Sequence, residues 1–293
     1  VGRREQWARR LPLLPALIYV IVVTQIPFVV TLWYSFQSYF WNVPTGAHFT
    51  GLSNYTAVFT NAGFRASLLR SVFMTATAVI IAMILGVALA VLLDRKFLGR
   101  GIVRTLIITP FLVMPAAAAL VWASPMLDPN FGLVNYLLEP FGVNHVAWLS
   151  SYPLVSVIAV MIWQWTPFMM LIVLAGLQSQ PPDTLEAAKV DGAGAMATFR
   201  ELTLPHLRPY IELGILLGSI YLVNAFDAVR LMTNGGPGTA TTNLPFFLYN
   251  QVNFAFDVGG AAAAGVVTVI LTIIVATFAL RMFARVFQFE EAG

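Results

Sequence analysis

The sequence predicts an all-α polytopic membrane protein, from its composition, its apolar segments and the placement of its charges. Hydrophobic residues make up 59% of the 293 residues and charged residues only 10%, where soluble domains carry roughly 25% charged residues. Mean hydropathy is +0.80. Six stretches have the roughly 20 mainly apolar residues that cross a bilayer as a helix: about 11–36, 71–93, 106–123, 154–175, 211–231 and 261–283. The first follows four arginines, but it is too long for a signal-peptide core and has no small-residue cleavage site.

Positive residues collect on one side of these spans. Arg3, Arg4, Arg9 and Arg10 precede the first; Arg95, Lys96, Arg100 and Arg104 follow the second; Lys189, Arg200 and Arg208 follow the fourth; Arg281 and Arg285 end the chain. Of the 16 Lys and Arg, only Arg65, Arg70 and Arg230 fall on the other side. The positive-inside bias predicts cytoplasmic termini, with the first, third and fifth connections outside. No repeat or soluble segment interrupts the chain, so residues 1–293 are expected to form one transmembrane domain.

Several chemistries are excluded. Cysteine is absent, which removes disulfides, zinc–thiolate sites and thiol nucleophiles. His48, His145 and His206 are scattered, so no metal site is expected. No G-x-x-x-x-G-K-[ST] phosphate loop occurs, and the two lysines follow no glycine-rich turn. The chain is not its own ATPase, and no catalytic residue is expected. A proton-coupled secondary carrier for a small neutral solute is the alternative; it would need an ionisable relay within the spans. The clearest acidic residue there is Asp227, near an outer end. Asp227 and Arg230, three apart, read as a snorkelling ion pair.

The fourth connection, 178–209, carries the strongest local pattern. After Pro181-Pro182, the spacing of Asp183 and Glu186 suggests a capping box at the start of a short helix. Gly192 supplies the left-handed residue that ends it, and a second short helix is expected over about 195–202. Within span four, Trp163-Gln164-Trp165-Thr166-Pro167-Phe168 interrupts an apolar helix. Gln164 lies ~15 Å from Leu154 along the helix axis, near the bilayer middle, and Pro167 is a candidate kink. In span five Tyr221, Asn224 and Ala225 share one face. Aromatic faces with a few polar groups are the ingredients of a sugar site.

Glu186-Ala187-Ala188, three residues, Gly192, nine residues, Leu202 and then Leu204-Pro205 resembles the EAA motif of ABC importer permeases, with Leu202 where the family usually has Ile. Asp191 and Ala193 fit the carbohydrate-uptake branch. Thr233-Asn234-Gly235-Gly236-Pro237 resembles the T-x-G-G-P segment of the first permease of a pair, and Gly51-Leu52-Ser53-Asn54-Tyr55 resembles the outer loop of such subunits. The resemblance implies the maltose-type, or type I, importer permease fold in a bacterial inner membrane. It implies that Glu186, Ala187, Ala188, Asp191, Gly192, Leu204 and Pro205 dock on a partner ATPase, and that ATP and Mg bind there, with no cofactor in this chain. The implied partners are a second homologous permease, two ATP-binding subunits, an extracytoplasmic solute-binding protein and a sugar or polyol, with lipid around the spans and no nucleic acid. Solute-contact positions carried over from the family are Met161, Gln164, Trp165, Phe168, Tyr221, Leu222 and Ala225, with Asn224 beside them.

Overall fold

The computed structural model describes residues 14–143 and 145–288. The four N-terminal arginines and residues 11–13 of the first expected span lie outside the described residues.

The described chain is almost wholly helical. In order it forms α1 (Leu14–Ser35), a two-stranded antiparallel pair β1 (Gln37–Ser38) and β2 (His48–Phe49), α2 (Ser53–Thr60) and α3 (Ala62–Asp94). Next come α4 (Arg100–Leu112), α5 (Pro115–Val121), α6 (Leu133–Leu138), α7 (Trp148–Ser151) and α8 (Pro153–Ser179). Then follow α9 (Pro182–Val190), α10 (Ala195–Thr198), α11 (Leu204–Leu222), α12 (Leu244–Asn253) and α13 (Val258–Gln288).

Among the described residues, four helices are continuous, long and apolar enough to cross a membrane: α1, α3, α8 and the 258–278 part of α13. The third expected span is not straight. α4 and the helix continuing α5 to Met126 meet at a 99° bend across Val113-Met114. Pro115 explains this, because a residue before proline is pushed out of the α region; Met114 sits at φ −56°, ψ 133°. The fifth expected span is also broken: α11 ends at Leu222, residues 223–226 leave the helix, and helical structure resumes from 227 to Thr233. α8, by contrast, runs through Pro167 without interruption. Non-helical backbone at membrane depth is tolerated only where protein covers it or a water-filled cavity borders it.

The chain divides into two compact units. In the unit of residues 1–65 and 247–270, α1 is mainly apolar and every residue from 14 to 30 is exposed, a surface that suits lipid. Its C-terminal end is pinned by Asn54, whose Nδ2 donates to the carbonyls of Ser35 (3.0 Å) and Gln37 (2.7 Å). Tyr55 and Ser35 share a 2.7 Å hydroxyl bond. Trp41 Nε1 donates to the Val252 carbonyl at 3.1 Å.

In the unit of residues 66–246 and 271–293, methionines and glycines fit α3, α8 and α11 together. Met169, Met170, Val173, Leu174, Leu207 and Ile215 are fully buried. A Cβ at Gly86 of α3 would stand 2.7 Å from Met169 Cβ, and one at Gly214 of α11 would stand 2.5 Å from Met83 Cε. Flexible thioethers fill such irregular gaps well. The segment after Met126 is held by Asn135, which donates to the carbonyls of Asp128, Pro129 and Val146 and accepts from Trp148 Nε1 at 2.9 Å.

Candidate functional site: a recess between broken spans and an exposed turn

Both interrupted spans border one recess of about 260 Å³. From α8 it takes Met161, Gln164 and Trp165, and from the end of α11 Tyr221 and Leu222. The second break contributes Asn224, Ala225 and Phe226, followed by Asp227 and Ala228, and Pro115 enters from the first break. Of the expected solute positions, Phe168 does not line it. Phe168 instead stacks on Phe111 (centroids 5.2 Å apart) and meets Trp165 edge-on at 5.5 Å. Trp165 in turn lies 5.4 Å from the Tyr221 ring, so an aromatic cluster walls one side. Tyr221 is 59% exposed.

Gln164 has a protein partner: its Nε2 donates to the Val113 carbonyl at 3.0 Å. That carbonyl closes α4 at the bend and has lost its helical acceptor role there. Gln164 therefore holds the first break, while the same side chain borders the recess. At the second break, Asn243 is 3% exposed. Its Nδ2 donates to the Ala225 carbonyl, and its Oδ1 accepts from Phe246 N–H at 3.1 Å, capping α12. Asn224 Nδ2 turns back to the Ile220 carbonyl at 2.8 Å.

The expected ion pair between Asp227 and Arg230 is not formed. Arg230 Nη1 donates to Asn234 Oδ1 at 2.6 Å. Asn234 can reach it because it takes the left-handed conformation (φ +49°) that closes the helical turn ahead of Gly235. The Thr233–Pro237 segment is locked from beneath by a 2.6 Å bond between the hydroxyls of Thr233 and Thr241. Thr242 Oγ1 also donates to the Gly235 carbonyl at 3.2 Å.

At the opposite end of α8 and α11 lies the 178–209 connection. The expected capping box is absent: the residue before α9 is Pro181, with no side-chain cap. Pro182 starts the helix and Asp183 falls inside its first turn, where its charge favours the helix dipole instead. The C-terminal end follows expectation. Gly192 has φ +80°, its N–H bonds the Lys189 carbonyl (3.1 Å), and Ala193 N–H bonds the Ala188 carbonyl (2.9 Å). This is the paired bond pattern that closes a helix on a left-handed residue. Asp191 is the capping residue just before it. Glu186 and Ala187 are exposed and Ala188 is buried. Val190 and Met196 project with 86% and 78% exposure.

The second short helix does not stop near Leu202. α10 runs through a wide π-turn, Phe199–Thr203, directly into α11, where Leu204 N–H bonds the Phe199 carbonyl. Such a turn accommodates Pro205, whose missing N–H would leave a gap in an α ladder. Leu204 and Pro205 therefore begin a long helix rather than close a loop. Ser179, at the end of α8, shares hydroxyl and ring hydrogen bonds with Tyr210 (2.8 Å) and His206 (3.1 Å) of α11. Tyr210 and Leu207 pack so closely on Gly176 that a Cβ there would meet them at 2.7 and 2.8 Å. The two helices flanking the turn are thus fastened where they enter it.

Sequence reasoning passed over Val113, Pro115 and Asn243, and it read Asp227 as half of an ion pair rather than as a residue of the recess. Pro115 was a readable signal for the first break. Nothing in 223–226 announces the second, which depends on Asn243 arriving from eighteen positions on.

Residues 78–288 match the family described as binding-protein-dependent transport system inner membrane component. The chain belongs to that family. It is 39% identical over 262 residues to a probable ABC transporter permease protein, y4oQ, of Sinorhizobium fredii, covering 89% of this chain and 84% of the relative. It is 34% identical over 273 residues to the trehalose/maltose transport system permease protein MalF of Thermococcus litoralis, covering 92% and 91%. Its fold matches a chain of a bacterial alginate ABC transporter solved with an alginate pentasaccharide-bound periplasmic protein, with a TM-score of 0.80 at 21% identity over 97% and 96% of the two chains. The protein is a multi-pass inner-membrane transport permease of type I fold, and the secondary-carrier alternative finds no support.

Proposed function

We propose that this permease forms half of the path of an ATP-driven importer for a sugar or sugar alcohol, and that the recess at the two broken spans is its solute site. The observation that carries this reading is the convergence of Gln164, Trp165, Tyr221 and Asn224 on one recess where helices are interrupted. Interrupted helices present backbone carbonyls and N–H groups that an unbroken helix uses internally, as solute sites at the midplane of transporters do. Aromatic faces pack against the C–H surface of a sugar ring, and the amides meet its hydroxyls.

Gln164 stands ~22 Å along α8 from Ser179, so the recess, near the middle of α8 and the end of α11, is set well apart from the exposed 182–194 turn that joins the two helices. A partner ATPase, holding ATP and Mg, would take Glu186, Ala187 and the Gly192 turn, with the apolar tips of Val190 and Met196. Movement of that turn would travel along α8 and α11 through the Ser179–His206–Tyr210 fastening. A homologous second permease would complete the path and an extracytoplasmic binding protein would deliver the solute, with both termini in the cytoplasm. The names of the trehalose/maltose relative and the alginate transporter support a carbohydrate cargo.

Reconstitution tests it. Proteoliposomes holding both permeases, the ATPases and the binding protein should take up trehalose or a related neutral sugar only with ATP and the binding protein present. Uptake by this chain alone under a proton gradient would overturn the proposal.

A further inference from the structure

We propose that Asp227 sets the charge selectivity of the recess, bonding hydroxyls of neutral, hydroxyl-rich solutes and repelling anionic ones. This rests on the reading of the recess as the solute site. Asp227 is half-buried and lines the recess. Its expected cation, Arg230, is engaged with Asn234 instead. Among the described residues the Asp227 carboxylate makes no hydrogen bond and no ion pair. No described Lys, Arg or His lines the recess, so its carboxylate is the single formal charge among the described lining residues.

An ionisable group held within a span is costly and marks a functional position. An ionised carboxylate only accepts hydrogen bonds, so its natural partner here is a donor: one or two hydroxyls of a polyol, brought close while the ring lies against Trp165 and Tyr221. A carboxylate, phosphate or sulfonate solute would bring a second negative charge within a few ångström, with no cation in the lining to offset it.

The absence of cysteine from the chain permits a direct test. Asn224→Cys, exposed at the same recess, is introduced into the assembled transporter. Its rate of modification is measured by mass on this chain with two thiosulfonate reagents of similar size. One carries a trimethylammonium group and the other a sulfonate, and both rates are normalised to those with 2-mercaptoethanol. With Asp227 present the cationic reagent should be favoured at least about tenfold, the effect of one carboxylate at ~5 Å even in a watery mouth. Asp227→Asn should bring the ratio close to one, and Asp227→Glu should restore it.

A ratio left unchanged by Asp227→Asn overturns the inference, as does a cysteine that reacts with neither reagent. Uptake by Tyr221→Ala separates this from the parent reading. If uptake falls while the ratio ignores Asp227, the solute site stands and the charge role fails. If the ratio responds but Tyr221→Ala transports normally, the recess is negative without being the solute site, and both fail.

Discussion

Replacing Gln164 by Leu removes a side chain with two duties, and each has its own magnitude. The bond from Nε2 to the Val113 carbonyl holds the 99° bend between α4 and α5. Interhelical bonds in membranes are worth about 0.6 kcal/mol on average, while a buried carbonyl left without a donor costs ~1–3 kcal/mol. Val113 is half-buried, near a recess that water can enter, so the lower end applies and the loss should be about 1 kcal/mol. That is too little to unfold the protein, and yield of the complex should fall modestly. The amide oxygen, by contrast, accepts no hydrogen bond among the described residues. If it meets a solute hydroxyl, its loss removes ~0.5–1.5 kcal/mol, which is about two- to tenfold in affinity. Complex yield and uptake affinity measured in one preparation separate the two duties. A fall in yield with unchanged affinity would confine Gln164 to holding the bend and refute its place in the solute path.

Other expectations follow from the same geometry. Gly192→Val should uncouple ATP hydrolysis from uptake: space around Gly192 is open, but φ +80° strains a β-branched residue by ~1–3 kcal/mol, enough to distort the turn without unfolding the helices. Glu186→Ala should uncouple while leaving assembly intact, and normal uptake by either variant refutes the docking assignment. Gly176→Val drives a side chain into Tyr210 and Leu207, so it should destabilise the complex by ~1–3 kcal/mol, seen as faster thermal inactivation; unchanged inactivation would mean that α8 and α11 are not tightly fastened there. Asn243→Leu leaves the Ala225 carbonyl and the start of α12 unsatisfied, and should cost ~1–3 kcal/mol and lower uptake; full uptake with normal stability would show that the second break needs no such tie.

Hydropathy was enough to find the apolar segments, because lipid rewards composition over some twenty residues whatever the neighbours do. Continuity was harder. The bend before Pro115 is a local backbone rule and was open to reading; the break at 223–226 is stabilised by Asn243, a partner that no window of sequence contains. At Pro167 the helix α8 continues unbroken, since a proline inside a span need not end it. In the 182–194 turn, the left-handed Gly192 was legible because only a residue without Cβ adopts that conformation cheaply. The start of α9 was not, because Pro182 initiates a helix as readily as Asp183 caps one. Charge pairing failed for a comparable reason: Asp227 and Arg230 have suitable spacing, but the turn at Asn234 offers the guanidinium a nearer acceptor.

The solute-site claim is tested most directly by blocking the recess. Ala225→Cys places the chain's sole thiol at the second break, within the recess lining. Uptake is measured in proteoliposomes before and after complete alkylation with N-ethylmaleimide, with Val155→Cys on the exposed face of α8 as the control. A solute site here predicts that alkylation abolishes uptake at position 225 and spares it at 155. Normal uptake through a carrier fully alkylated at 225 would contradict it.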